Sequence, residues 1–296
     1  MEIALEDIAR PGQVNYLTQR LGEDGLSHLV ETVKRLEEEW QLKLLGIAGN
    51  PSTSIALKVR REGLLHCLKV ETSEELARRQ VTCLGEWAKR GLAPVVAKVD
   101  AASGSYLLRW FSGKPVGERD LPDAGELLLR GWQTDVALPS GLGEGEHWDE
   151  LFTTAAHRIV TFKVPLELEL VDVARHNVEK LYQGAKLGTC HGDAVMRNIL
   201  TDGSRLMLID PTPHGGPLES VVAQLLFRAL GPGPDLAEAN LSMARFLRGK
   251  HSVAIDEGLM GEWQKAGALT MCAYHQAMGA NPSRAMVGLA RTLKPL

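Results

Sequence analysis

The chain has 296 residues, 44% hydrophobic and 24% charged, with a formal net charge of −4. That is the balance of an ordinary globular protein, long enough for two lobes. So small an acidic excess carries no electrostatic footprint for nucleic acid or a membrane surface.

No apolar run approaches the ~20 residues that span a bilayer. The opening MEIALEDIARPGQ has acids where a secretion signal needs a basic region and then an apolar core. Cys67, Cys83, Cys190 and Cys272 are scattered, with no CxxC pair and no zinc-ligand cluster. Reduced, mostly buried thiols in a cytoplasmic protein are therefore expected, as a monomer or homodimer.

In chain order, Leu26, Leu29, Val30, Val33 and Leu36 recur at helical steps and predict a helical segment over about the first forty residues, closed by Trp40. The period then changes. Residues 42–48, 54–60 and 64–70 read as short strands joined by GNPST and by the turn Arg61-Glu62-Gly63. A helix follows from Ser73 as N-cap to Arg90, with Glu74 and Glu75 in the first turn where the dipole favours them, and Gly91 ends it. Strands are predicted at 94–99 and 105–111, and SGKPVGERDLPDAG reads as a linker between lobes. Helices are predicted at 123–135, 147–162, 166–183, 217–230, 235–249, 256–278 and 282–293. They are interrupted by two strand-like runs, NIL and LMLID, around a polar turn within 187–210.

That interruption carries the chemistry. It reads His191-Gly192-Asp193-Ala194-Val195-Met196-Arg197-Asn198, then Ile199-Leu200, and later Leu208-Ile209-Asp210-Pro211. Phosphoryl transfer from ATP needs a carboxylate for the attacking hydroxyl, oxygen ligands for magnesium, and a cation at the phosphates. Asp193 and Asn198 stand five apart on one loop, and Asp210 follows on the next strand. The pattern HGDxxxxN with an IDP beyond it is far more specific than polar turn residues alone.

This stretch resembles the catalytic loop of the aminoglycoside-phosphotransferase family, a branch of the protein-kinase-like fold, with a pattern closest to streptomycin 6-kinases and hydroxyurea phosphotransferases. The resemblance implies Asp193 as catalytic base, Asn198 and Asp210 as magnesium ligands, and His191 as the residue that shapes the loop. It implies Lys69, in Leu68-Lys69-Val70, as the ATP-phosphate lysine, with Lys58 as the rival. Ala77-Arg78-Arg79, Trp87 and Arg90-Gly91 are similar to the helix and turn that follow. The implied architecture is α+β and bilobal: an antiparallel-sheet lobe over 1–111 with a helical extension over about 1–40, a linker at 112–119, and a helical lobe over 120–296. Ser52 and Ser54, in the turn from Gly46, could lay hydroxyls and amides over the phosphates.

Three places depart from the family pattern, one of them Arg109, where streptomycin kinases commonly have an acidic residue entering the linker. Gln80 stands where the family carries the helix glutamate that pairs with the lysine, with Glu74 and Glu75 as nearby substitutes. After Asp210 the segment runs Gly215-Gly216-Pro217-Leu218-Glu219-Ser220-Val221, with Glu219 as a neighbouring acid. The resemblance implies ATP or GTP with Mg2+, and a cationic small-molecule acceptor such as streptomycin. A metabolic sugar or amino-alcohol kinase and a nucleotide-binding regulatory protein are the alternatives.

Overall fold

Apolar residues at three- and four-residue steps build helix α1 (Pro11–Glu39), which is broken at Gly22, where φ is 73° and ψ 177°. The computed structural model describes residues 8–49, 54–137 and 146–296. They divide into two units, Met1–Ser112 and Gly113–Leu296.

In the first unit α1 precedes β1 (Lys43–Ile47), β2 (Ser54–Arg61), β3 (Leu64–Glu71), α2 (Glu74–Lys89), β4 (Val96–Asp100) and β5 (Ser105–Arg109). The five strands form one antiparallel sheet in the order β1-β2-β3-β5-β4. The Ser73 hydroxyl accepts from the Leu76 amide at 3.3 Å and caps α2, as its sequence predicts; such a cap contributes about 1 kcal/mol.

Strand periodicity explains how this unit divides its chemistry. Ile55 lies opposite Val70, and Leu57 opposite Leu68, which in turn faces Leu107. Directly opposed residues share a face. These five pack with Leu17, Leu29, Val33, Leu36 and Trp40 of the α1 segment into one apolar core. Lys69 and Glu71 alternate with that set, so both project from the opposite face of β3. Tyr106, opposite Lys69, shares that face, and its hydroxyl donates to Gln80 on α2 at 2.7 Å.

The second unit opens with β6 (Lys114–Pro115) and a 3-10 turn at Glu118–Asp120, followed by α3 (Leu121–Trp132), α4 (Glu146–Phe162) and α5 (Glu169–Tyr182). It continues with β7 (Gly188–Cys190), β8 (Ile199–Thr201), β9 (Leu206–Leu208), β10 (His214–Gly216), α6 (Leu218–Leu230), α7 (Asp235–His251), α8 (Glu257–Ala277) and α9 (Arg284–Ala290). Part of the segment that reads as linker is thus a strand: Lys114 and Pro115 pair with Thr201 and Leu200.

Helix α8 is the hub of this unit. Its Trp263 ring lies 5.1 Å from that of Trp148 on α4 and 5.7 Å from that of Tyr182. Gln264 exchanges amide hydrogen bonds of 2.9 and 2.8 Å with Asn240 on α7, which satisfies two buried polar groups inside an apolar layer. Among the described residues, no helix is long and apolar enough to cross a membrane. All four cysteines are free thiols, and burial pushes Cys190 and Cys272 up to about 12.

Candidate active site

Two pairs of short strands hold the loop that carries the HGD motif. β7 runs into it and pairs with β10, while β8 leaves it and pairs with β9. Gly192 has φ +76°, and a Cβ there would fall within the van der Waals radius of the Thr212 carbonyl oxygen. Only glycine fits this turn.

His191 is 1% exposed. Its Nδ1 lies 3.3 Å from the Asp193 amide, which must donate, so Nε2 carries the proton and donates to the Ile209 carbonyl at 3.0 Å. Its own carbonyl accepts from the Thr212 amide at 2.7 Å. His191 therefore ties the loop to the chain on both sides of Asp210, through its imidazole at Ile209 and its main-chain carbonyl at Thr212.

The Asp193 carboxylate is divided in its environment. Oδ2 accepts from Asn198 Nδ2 at 2.8 Å and from Arg197 Nη2 at 3.1 Å. Oδ1 accepts no hydrogen bond among the described residues, and the side chain is 31% exposed. Asn198 is buried and spends its amide hydrogens on Asp193 Oδ2 and the Asp193 carbonyl (3.0 Å), which leaves its own Oδ1 as an acceptor. The Ile209 amide donates to the Asn198 carbonyl at 2.9 Å, so Asp210 follows directly on the residue bonded to Asn198. Asp210 has φ +56°, a left-handed conformation uncommon for a residue other than glycine.

Helix α6 clasps the loop from its other side. Gln224 Oε1 accepts from the Ala194 amide at 2.8 Å, and Nε2 donates to the Gly192 carbonyl at 3.1 Å. No sequence signal singles out Gln224; only the fold brings it to a loop thirty residues away.

In the first unit Lys69 Nζ lies 2.8 Å from Glu71 Oε1, with side-chain exposures of 6% and 1%. Neither Glu71 oxygen accepts a well-directed hydrogen bond, so the contact is one of charge. Gln80, which the resemblance sets opposite Lys69, accepts from the Tyr106 hydroxyl through its side-chain oxygen. Tyr106 is raised well above its ordinary value by burial and then by the Glu71 charge. Glu71 thus supplies a counter-charge to Lys69, the role for which the sequence offers Glu74 and Glu75 as nearby substitutes. Glu75 bonds Arg78 on the helix surface. The spacing Lys-x-Glu on a strand is the signal for Glu71, because period two sets both side chains on one face.

Ser54 is 2% exposed and lies opposite Glu71. Its carbonyl accepts from Gln13 Nε2 at 2.5 Å. Ser52 lies outside the described residues. The sequence-predicted residues are thus brought together in two groups: Asp193, His191, Asn198 and Asp210 in the second unit, and Lys69, Gln80 and Ser54 in the first.

No protein-family profile matches the sequence, and no curated protein does. Solved structures match at probability 1.00. A choline/ethanolamine kinase family protein from Mesorhizobium loti is 19% identical, with 84% of this chain and 86% of that one covered and a TM-score of 0.57. The choline kinase LicA from Streptococcus pneumoniae is 12% identical over 88% and 96% of the two chains, with a TM-score of 0.61. A thermostable mutant of the aminoglycoside phosphotransferase APH(4)-Ia, in ternary complex with AMP-PNP and hygromycin B, is 16% identical over 83% and 91%, with a TM-score of 0.55.

The fold is protein-kinase-like.

At these identities the likeness is one of fold, and the acceptors named for those proteins are theirs. The α+β class read from the sequence agrees with it.

Proposed function

We propose that this chain is a phosphotransferase that moves the γ-phosphoryl group of ATP or GTP to a hydroxyl of a small molecule. The observation that carries the reading is the Asp193 carboxylate, anchored through one oxygen by Asn198 and Arg197 and open at the other. A carboxylate held this way can take a hydrogen bond from an acceptor hydroxyl at Oδ1 without itself moving. As the acceptor oxygen bonds to the γ-phosphorus, its proton passes to Asp193. The bond from that phosphorus to the β–γ bridging oxygen breaks, and the nucleoside diphosphate leaves with the electron pair.

The residues fit a magnesium ion. Magnesium takes one or two carboxylates plus substrate phosphates rather than an all-protein cage. Asn198 Oδ1 and the Asp210 carboxylate would hold it, and when bound it neutralises phosphate charge. Lys69 is the cation of the nucleotide phosphates in this reading, and Glu71 orients its ammonium.

For the acceptor, the sequence resemblance supports an aminoglycoside or aminocyclitol such as streptomycin, with resistance by O-phosphorylation as the outcome. The fold relatives support an amino alcohol equally.

The test is nucleoside diphosphate release from magnesium-ATP over a panel of aminocyclitols, amino alcohols and sugars. Transfer should appear in the wild type and fall by about 10²–10⁴-fold in Asp193→Ala. Full activity in that variant sinks the mechanism. Nucleotide binding without transfer to any acceptor points to a regulatory protein.

A further inference from the structure

Two arginines, Arg197 and Arg228, bring positive charge to Asp193. Arg197 is bonded to Asp193, and its guanidinium is 58% exposed. Arg228 lies one helical turn beyond Gln224 on α6, on the face that clasps the loop. It is half-buried and directs Nη1 at the thioether of Met271 on α8, 2.6 Å away. Tyr274 follows Met271 on the same face of α8, and the Arg158 guanidinium of α4 lies 5.5 Å from its ring.

Among the described residues, Asp193 is the only carboxylate within 4.0 Å of any of these three arginines. Arg228 is lowered from its ordinary value by burial, with Asp193 opposing and Arg197 adding to that effect. A guanidinium has five donors in a planar fork. A thioether is a weak acceptor for one of them. Desolvated arginines without a counter-ion are rare in folded proteins because the cost falls on stability. Arg228 is such a residue, and with Asp193 as the base the economical reading is that a ligand supplies its missing acceptors.

We propose that Arg228 and Arg197 form an oxyanion-binding wall beside Asp193, and that the phosphoryl acceptor is a hydroxy acid whose hydroxyl lies a few atoms from a carboxylate or phosphate. The proposal rests on the reading of Asp193 as the base. The acid group docks bidentately on the wall and sets the hydroxyl against Asp193 Oδ1. A polycation meets two like charges on this side, so the wall selects against the cationic acceptors that the sequence resemblance suggests. The same oxyanion chemistry could come from the γ-phosphate of the nucleotide, and the experiment separates the two sources.

The test compares matched acceptors with magnesium-ATP: glycerol, serinol, glycerate and 3-phosphoglycerate; glucose, glucosamine and gluconate; and streptomycin as the polycation. Thermal shift with each acceptor in the presence of magnesium-AMP-PNP, at constant ionic strength, gives a binding readout independent of turnover. The acids should exceed their neutral and amine partners at least tenfold in kcat/KM or in affinity. Arg228→Met should remove that preference by raising the acid's KM or Kd tenfold or more, with the nucleotide's KM unchanged, and Arg228→Lys should recover part of it. Equal use of acid and neutral partners, preference for streptomycin or an amine, or no response to any acid overturns the proposal. A rise in nucleotide KM alone assigns the wall to the γ-phosphate and overturns the acceptor assignment. Acid binding that depends on Arg228 without phosphoryl transfer keeps the wall and removes the kinase reading; transfer to an amine does the reverse.

Discussion

Replacing Glu71 by glutamine leaves the Lys69 ammonium buried beside a neutral amide. The charges are 2.8 Å apart and almost wholly withdrawn from water, which at an effective dielectric of about 20 is roughly 6 kcal/mol of gross attraction. Desolvation offsets part of it, and the net cost of removing one partner of a buried pair is about 3–5 kcal/mol. Glutamine keeps the shape and one acceptor, so the lower end, about 3 kcal/mol, is expected; at ~2–4 °C per kcal/mol this lowers Tm by roughly 10 °C. The assay is a thermal and urea double-mutant cycle over wild type, Glu71→Gln, Lys69→Met and the double variant. Removing both charges should recover much of the loss, because an apolar replacement for a buried pair is often neutral. A Glu71→Gln cost below about 0.5 kcal/mol, the level of ordinary surface changes, refutes the reasoning.

Gln80→Glu, which the sequence pattern suggests as a repair, should destabilise by about 2 kcal/mol by setting a second carboxylate near Glu71, and should become neutral or favourable in a Glu71→Gln background; equal effects in both backgrounds count against the pairing described. Gly192→Ala should displace the catalytic loop and lower phosphoryl transfer by roughly 100-fold with an unchanged far-ultraviolet circular dichroism spectrum; near-normal turnover would contradict the close approach to Thr212. Burial, reinforced by the Arg109 and Arg61 charges, holds His66 below its ordinary value although the Leu64 carbonyl bond opposes it. The unfolded chain then takes up this proton first, so stability falls as pH drops from about 6.5 through the lowered folded value. His66→Gln should flatten that slope between pH 7 and 5, and identical slopes would exclude His66 as its source.

Much of this was legible in the sequence because the signals are local. Ser73 is recognisable as a cap from its neighbours, the strand and helix periods switch where the elements do, and HGDxxxxN places Asp193 and Asn198 on one loop. What was not legible depends on distance or on brevity. Gln224 reaches the loop only because α6 packs beside it. β7 and β10 have three residues each, too few for a period, and are made strands by their mutual pairing. The break at Gly22 falls inside a continuous helical pattern. Glu71 is the instructive case: the Lys-x-Glu spacing is plain in the sequence, but the family pattern points to the helix position of Gln80.

The clasp of Gln224 on the loop has a consequence for local motion. An amide in a surface loop ordinarily exchanges its hydrogen with solvent in brief openings that leave the rest of the fold intact. The Ala194 amide is bonded to a side chain rooted in the buried middle of α6, whose neighbours Ala223 and Leu225 are 1% and 0% exposed. For that proton to leave, either Gln224 must let go of both ends of the turn or the helix must move with it. Hydrogen exchange at Ala194 should therefore follow that of the α6 backbone, and the loop that carries the Asp193 carboxylate should breathe with the helical layer behind it.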